Sequence, residues 1–382
     1  MAMEMKDATN ECGYARPPRR FPAEEYERRL KRFRAALAKR GVDGALVTRA
    51  VSRRYLTGFD SSAGILAVSV DEGAVFSVDF RYIVMARKTL PFARCLLKRP
   101  GADDPVLARA AKWGRVGYEE GDSQSLIRRL AAKCPALENG VAIDDDLAAL
   151  RAVKSPREIA ALRAAVAQGD ALCADILPRI RPGMTEWALR NLFRAGADKF
   201  GHGESFDTIV CAGRNCAECH HEPDLTVIRR GSPVLMDFGV VLDGYHSDMT
   251  RCIAVGKPPS LFGEIYAVAL EANLKAIDGI RPGMTGAEVD AIARTVIAKA
   301  GYGEAFGHSL GHSVGLEIHE APNFSQGETR VIKPGMVITV EPGIYLPGRA
   351  GVRIEDVVLV TRNGCEVLTK TGKEMEVWET QR

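Results

Sequence analysis

The hexapeptide Ile-Arg-Pro-Gly-Met-Thr occurs twice in this chain of 382 residues, at positions 180–185 and 280–285. The same order of signals follows both copies, so one supersecondary unit is built twice, and this constrains the fold more tightly than composition does. In each copy a helix-like stretch follows the hexapeptide, and then come a glycine, an apolar run and an acid. Gly231 precedes Asp237 by six residues across the run 233–236, and Asp248 follows on the return strand. Gly335 precedes Glu341 by six residues across the run 336–340, and Glu355 follows on its own return strand. Two equivalent hairpins thus each aim two carboxylates at a shared centre.

An unpaired buried charge costs several kcal/mol, roughly, even after relaxation, so four carboxylates in apolar strands require cations among them. Histidines are close by: His308, His312 and His319 lie in GHSLGHSVGLEIHE at 307–320. Taken singly, each acid reads as structural. Asp237 before Phe238-Gly239, or Asp248 before Met249-Thr250-Arg251, would serve as a strand-end residue or as the partner of Arg251 or Arg353. Their matching places in two repeats outweigh that reading, and the donor set suits one or two divalent metals.

The strings MDFGVVLDGYHSDMTR (236–251), GHSLGHSVGLEIHE (307–320), TVEPGIY (339–345) and GVRIED (351–356) resemble the successive motifs of the pita-bread metallopeptidases. This is the superfamily of aminopeptidase P, prolidase, methionine aminopeptidase and creatinase. The resemblance implies an α+β fold. A pita-bread catalytic domain with an internal pseudo-twofold repeat, helices outside and curved antiparallel strands inside, would follow a smaller α/β domain of creatinase type. It implies five ligands to two divalent ions, namely Asp237, Asp248, His312, Glu341 and Glu355, with Asp248 and Glu355 bridging. The Xaa-Pro branch is the most similar, because Arg353 stands two residues before Glu355 and a separate N-terminal domain precedes the catalytic one. By the same resemblance His319 would hydrogen-bond the scissile carbonyl or the tetrahedral intermediate, and Glu341 would take the proton of the attacking water. His220, in SFDTIVCAGRNCAECHHEP, would contact the substrate near that bond, and Arg353 would order a metal-binding carboxylate or a substrate group. A homodimer is implied as well.

The substrate implied is a peptide with proline at the second position. An Xaa-Pro bond is a tertiary amide without an amide hydrogen, so peptidases that need that donor handle it poorly. One imidazole with four carboxylates is a hard, oxygen-rich set. It points to manganese ahead of cobalt, iron or zinc, and no HExxH zinc helix is present, since Pro322 follows the His319-Glu320 pair. The chain departs from the family at Ser309 and Ser313, where glycines are frequent, and at Cys219-His220-His221, where many prolidases have Pro-His-Gly. Asn323 stands where many dipeptidases carry an arginine for the dipeptide carboxylate, which leaves an aminopeptidase on longer peptides open. Three other functions share the fold: a metal-dependent hydrolase of another small amide, a creatinase-like non-peptidase that works without metal, and an inert binding module. Retention of all five ligands and His319 argues against the last two.

Cys216-Ala217-Glu218-Cys219-His220 matches the CxxCH pattern of covalent haem attachment, with Cys211 and His221 near it. The substrate loop already accounts for this segment, so the cysteines read as incidental thiols. A net charge of +3 from 52 basic and 49 acidic residues gives no field to recruit nucleic acid or membrane. No run approaches the roughly 18 apolar residues of a spanning helix. Nine cysteines, odd in number and without framework spacing, suit reduced thiols in a cytoplasm.

Three segments are expected: a loose tail over 1–21, a creatinase-like domain over 22–152 and the catalytic domain over 153–382. In the second of these, Tyr26, Leu30, Phe33 and Leu37 share the face of a helix ending near Gly41, and strands are expected at 44–47, 65–70, 74–78, 116–118 and 141–143. The string RRYLTGF at 53–59 resembles the run that leads into the second strand of that domain type. Ser155, Pro156 and Glu158 give a helix start with Ile159, Leu162 and Val166 on one face; Thr285 with Glu288 gives another start, and Leu270, Leu274 and Ile277 mark a helix between.

Overall fold

Tyr26, Leu30, Phe33 and Leu37 are all buried along one side of α1 (Ala23–Arg40), and Gly41 at φ 72° ends the helix in the left-handed conformation that glycine adopts without strain. The computed structural model describes residues 19–375, so the expected tail lies outside the described residues up to position 18. The described residues divide into two compact units, one spanning 20–151 and the other holding 152–375.

In the first unit the strands are β1 (Gly44–Val47), β2 (Ile65–Ser69), β3 (Gly73–Val78), β4 (Arg94–Leu97), β5 (Val116–Tyr118) and β6 (Val141–Ala142). They form one mixed sheet in the order β4-β3-β2-β1-β5-β6, antiparallel from β1 to β3 and parallel elsewhere. Helices α2 (Ala50–Thr57), α3 (Ile83–Thr89), α4 (Leu107–Ala110), α5 (Gln124–Ala131) and α6 (Asp144–Ala152) alternate with them. Leu46, Ala67, Val75, Val116 and Leu130 share its core. The run at 53–59 completes α2, turns at Gly58 (φ 67°) and leads toward β2. β4 was not foreseen, since its first residue, Arg94, is exposed and the other three are only half-buried.

In the second unit the duplication is visible in the backbone. The first copy runs α7 (Pro156–Ile176), α8 (Glu186–Phe200), β7 (Ile209–Ala212), β8 (Ser232–Phe238), β9 (Val241–Leu242), β10 (Tyr245–His246) and β11 (Met249–Val255). The second runs α9 (Ser260–Gly279), α10 (Gly286–Lys299), β12 (Gly311–Ser313), β13 (Glu320–Phe324), β14 (Val337–Val340), β15 (Gly343–Leu346), β16 (Ala350–Arg353), β17 (Asp356–Val360) and β18 (Cys365–Val367). The hexapeptide makes the same turn in both. Gly183 and Gly283 adopt φ of 92° and 99°, and their amides donate to the carbonyls of Ile228 and Ile332 at 2.9 and 3.0 Å. Thr185 and Thr285 then cap α8 and α10, accepting from the amides of Ala188 and Glu288. Ser155 with Glu158, and Thr285 with Glu288, each form the expected capping box.

One expectation is refined. The helix marked by Leu270, Leu274 and Ile277 is α9, but of the three Leu274 is 49% exposed, while Leu270 and Ile277 are partly buried and pack against the edge of the core. The buried stripe is Phe262, Ile265, Tyr266, Ala269, Ala272, Asn273 and Ala276, because small residues let this helix approach the strands closely.

Strands β11, β8 and β7 form one antiparallel sheet, and β13, β12, β14, β17 and β18 another. Asp237 pairs with Thr250 near the end of the β8–β11 ladder, and Val340 pairs with Asp356 at the end of the β14–β17 ladder. Asp248, Glu341 and Glu355 sit one residue beyond β11, β14 and β17, so all four acids occupy corresponding strand ends. The ladders meet there, where the Glu355 amide donates to the Thr250 carbonyl at 3.2 Å.

Candidate metal centre

The strand-end acids converge. Oxygens of Asp248 and Glu355 and a ring nitrogen of His312 lie within 4.8 Å of one another. His312, on β12, brings Nε2 to 3.5 Å from both Asp248 Oδ2 and Glu341 Oε1. Its Nδ1 faces the Ser313 carbonyl at 3.3 Å and donates to it, so Nε2 presents a lone pair to two carboxylates. Such a contact calls for a proton or a cation between the nitrogen and the oxygens. The spacing suits ligand atoms on one small divalent ion, about 3.4 Å apart for bonds of about 2.1 Å in tetrahedral geometry.

Asp237 supplies a second sign of the same kind. Its Oδ2 accepts from Arg353 Nη2 at 2.5 Å, while its Oδ1 is buried with no hydrogen-bond partner among the described residues. Buried polar atoms are almost always satisfied, so an orphaned carboxylate oxygen beside three further acids fits a ligand position. Four carboxylates against one guanidinium leave three negative charges here if all ionise. Burial, reinforced by the neighbouring acids, pushes Asp248 and Glu355 well above the usual carboxylate range. Burial also raises Glu341 to about 8, against the opposing pull of Arg353. Burial lowers His312 to about 4, with His319 adding to it, so the imidazole is a neutral donor ready for a cation.

Arg353 organises one side of the cluster. Its Nε donates to Thr250 Oγ1 at 3.0 Å, and its Nη1 donates to the Tyr345 hydroxyl at 2.8 Å and the Cys219 carbonyl at 3.3 Å. Tyr345, accepting from Arg353, donates its hydroxyl hydrogen bond to His308 Nε2 at 2.9 Å, and His308 Nδ1 donates to the Ser309 carbonyl at 2.8 Å. Burial holds His308 near 4, so it stays neutral and can accept. The remaining histidines lie at the open side: the rings of His319 and His312 are 4.3 Å apart, and His220 is near enough to both His319 and His308 to interact with them. His220 and His319 are exposed. The fold thus gathers Asp237, Asp248, His312, Glu341, Glu355, Arg353, His319 and His220 around one centre.

Tyr345, Thr250 and Thr339 were not singled out in the sequence. Thr250 Oγ1 donates to Glu355 Oε2 at 2.7 Å, and Thr339 Oγ1 to Glu341 Oε1 at 3.1 Å. Strand alternation would have found both threonines, since each stands two residues from an acid and shares its face. The CxxCH cysteines are free thiols, and Cys216 is buried with its sulfur on the Cys211 carbonyl at 3.4 Å. A second group of ligand-type side chains, Glu186, His221 and Asp224, stands apart from the acids.

The signature of metallopeptidase family M24 matches residues 160–362, and that of the creatinase/prolidase N-terminal domain matches residues 29–153. The Xaa-Pro dipeptidase of Pyrococcus furiosus is 35% identical over 353 residues, covering 91% of this chain and 99% of its own length. Among solved structures, the Xaa-Pro dipeptidase from Bacillus anthracis superposes with a TM-score of 0.87 at 38% identity, covering 92% of this chain and 100% of that one. The X-Pro aminopeptidase from Thermotoga maritima superposes at 0.80 and 33% identity, covering 88% and 98%.

Proposed function

This chain belongs to metallopeptidase family M24, and from that premise we propose that it hydrolyses the bond between an N-terminal residue and a following proline, in dipeptides or short peptides. Asp237, Asp248, His312, Glu341 and Glu355 would hold two divalent cations, manganese in the first instance, with cobalt, iron and zinc as alternatives. The orphaned Asp237 Oδ1 within a cluster of raised carboxylates is the observation that carries this reading. When bound, such a pair of cations would supply an acidified water and a polarised carbonyl.

The chain's own groups supply the rest. Glu341, raised to about 8 by burial when no cation is near, would be ionised by the cations it helps to hold and so could take a proton from the attacking water. His319 is kept neutral because burial lowers it, so it donates an N–H to the developing oxyanion without losing a charge. Arg353 fixes Asp237 and offsets part of the negative charge, and His220 orients the substrate beside the scissile bond. None of these contacts requires a hydrogen on the scissile nitrogen, as a proline substrate demands.

In this reading the protein is cytoplasmic and dimeric. The eight cysteines among the described residues are all free thiols, which suits a reducing compartment. Phe80 and Val84, 79% and 76% exposed, give the first unit an apolar patch of the kind that association covers.

The test is hydrolysis of Ala-Pro, Ala-Pro-Ala and a proline-free control by metal-stripped protein with and without added manganese. Metal-dependent cleavage of the proline peptides alone is the expected result, and the ratio of the two rates separates dipeptidase from aminopeptidase. Stoichiometric metal binding without proline cleavage would move the assignment to another small amide.

A further inference from the structure

Glu186 opens α8 with its side chain wholly buried, and every atom around its carboxylate is a donor. Oε1 accepts from the Ala212 amide at 2.6 Å and Asn215 Nδ2 at 3.0 Å; Oε2 accepts from the Asp224 amide at 3.2 Å and His221 Nε2 at 2.8 Å. The other nitrogen of His221, Nδ1, lies 3.0 Å from Glu218 Oε2. An imidazole with a carboxylate at each nitrogen must donate from both, which makes it an imidazolium. Asn215 Nδ2 also lies 3.2 Å from Nε2, and its hydrogens are directed to Glu186 Oε1 and Thr226 Oγ1. The charged groups facing the ring are Glu186 from α8, and Glu218 and Asp224 from its own segment. Burial of the ring opposes the charge, but Glu186 and Glu218 outweigh it and hold His221 above the usual histidine range.

His221 directly follows His220, and its amide closes a turn on the Glu218 carbonyl at 3.2 Å. On the other side of His220, the Cys219 carbonyl is tied to Arg353. The exposed His220 is therefore suspended between two anchors, one at the proposed metal centre and the other at Glu186.

We propose that His221 is a positioning residue whose doubly donated pairing with Glu186 and Glu218 holds the 218–221 turn, and with it His220, at the substrate. This rests on the reading of His220 as a substrate contact. The trio needs no ion of its own, since the Glu186 oxygens already accept four hydrogen bonds. The pairing is complete while the ring is charged and is lost as pH rises through its raised pKa.

Two measurements test it. Imidazole 15N spectra of metal-free protein should show one histidine with both nitrogens protonated at about pH 7, assigned by its loss in His221→Gln and shifted to a lower midpoint in Glu186→Gln. Amide exchange over 218–222 in the same metal-free protein should quicken in His221→Gln by more than it does in segments distant from Glu186, so that a global loss of stability is told apart from release of the turn. In loaded enzyme, His221→Gln should lower kcat on Ala-Pro about tenfold with KM nearly constant, and should erase the alkaline limb of the profile that wild type shows. His221→Arg, a cation at every pH, should recover part of that loss. A neutral ring at about pH 7, unchanged amide exchange in His221→Gln, or an added equivalent of manganese bound at Glu186, His221 and Asp224 would each overturn the assignment. The spectra and the exchange do not depend on turnover, so an enzyme inactive on proline peptides would fail the proposed function alone.

Discussion

At the scale of single residues, Arg353 has the most to lose by substitution. It is 3% exposed and donates to Asp237, Thr250, Tyr345 and the Cys219 carbonyl together. Arg353→Met strands Asp237 as a buried charge, and urea denaturation of the metal-free protein should show a loss of about 3–5 kcal/mol. Arg353→Lys keeps the charge but not the planar fork. Calorimetric titration should find its metal affinity reduced about 10- to 100-fold while the fold persists. The acids were legible because two repeats place them at equivalent positions and only a cation explains the set, and His312 because the motif that carries it resembles that of a known family. Tyr345 and His308 were not, since their link to Arg353 passes through the hydroxyl of one residue and the ring of another 37 positions away. No local pattern encodes that.

Among elements, the helix starts were the most legible features and offer the simplest tests. Ser155→Ala and Thr285→Ala each remove the side-chain acceptor of a capping box. Each should cost about 1 kcal/mol by denaturant unfolding with little effect on turnover. Gly351 on β16 calls for the opposite expectation. A Cβ there would sit 1.7 Å from the Cys216 carbonyl oxygen, so Gly351→Ala must push the 213–221 segment off the strand that carries Arg353. Activity should fall more than tenfold, and the thermal midpoint should fall with it, since the clash is with backbone that has no rotamer to yield. The helix α9 was legible but not the centre of its buried stripe, because Ala269, Ala272 and Ala276 carry little hydropathy yet decide how near a helix can pack, while Leu274 faces outward. β4 was missed because an exposed edge strand needs no apolar alternation.

For the whole molecule, the electrostatics of the centre set how stability should respond to pH and to metal. Burial raises Asp248, Glu341 and Glu355 above their ordinary values in the folded state, Glu341 from 4.5 to about 8. A raised carboxyl pKa means that the folded state binds protons more tightly than the unfolded chain. The centre's contribution to metal-free stability is therefore greatest below about 4.5 and declines as pH rises toward 8. The urea midpoint of metal-free protein should be lower at about pH 8 than at about pH 6, Glu341→Gln should flatten that slope, and saturating manganese should abolish or reverse it. A midpoint indifferent to metal at about pH 8 would show that the acids are neutralised in some other way. The existence of two units was legible because helix and strand signals alternate before residue 153 and the hexapeptide repeat appears only after it. The meeting of the ladders at Thr250 and Glu355 was not, because register between distant strands is decided by packing. That seam bears on what one copy could do alone. One copy of the repeat carries only half of the acids, so a single copy would complete the centre only by pairing with another across a twofold axis. The two halves have no need to match beyond the acids, and they do not: His312 and Arg353 stand in one half and the Glu186–His221 anchor in the other.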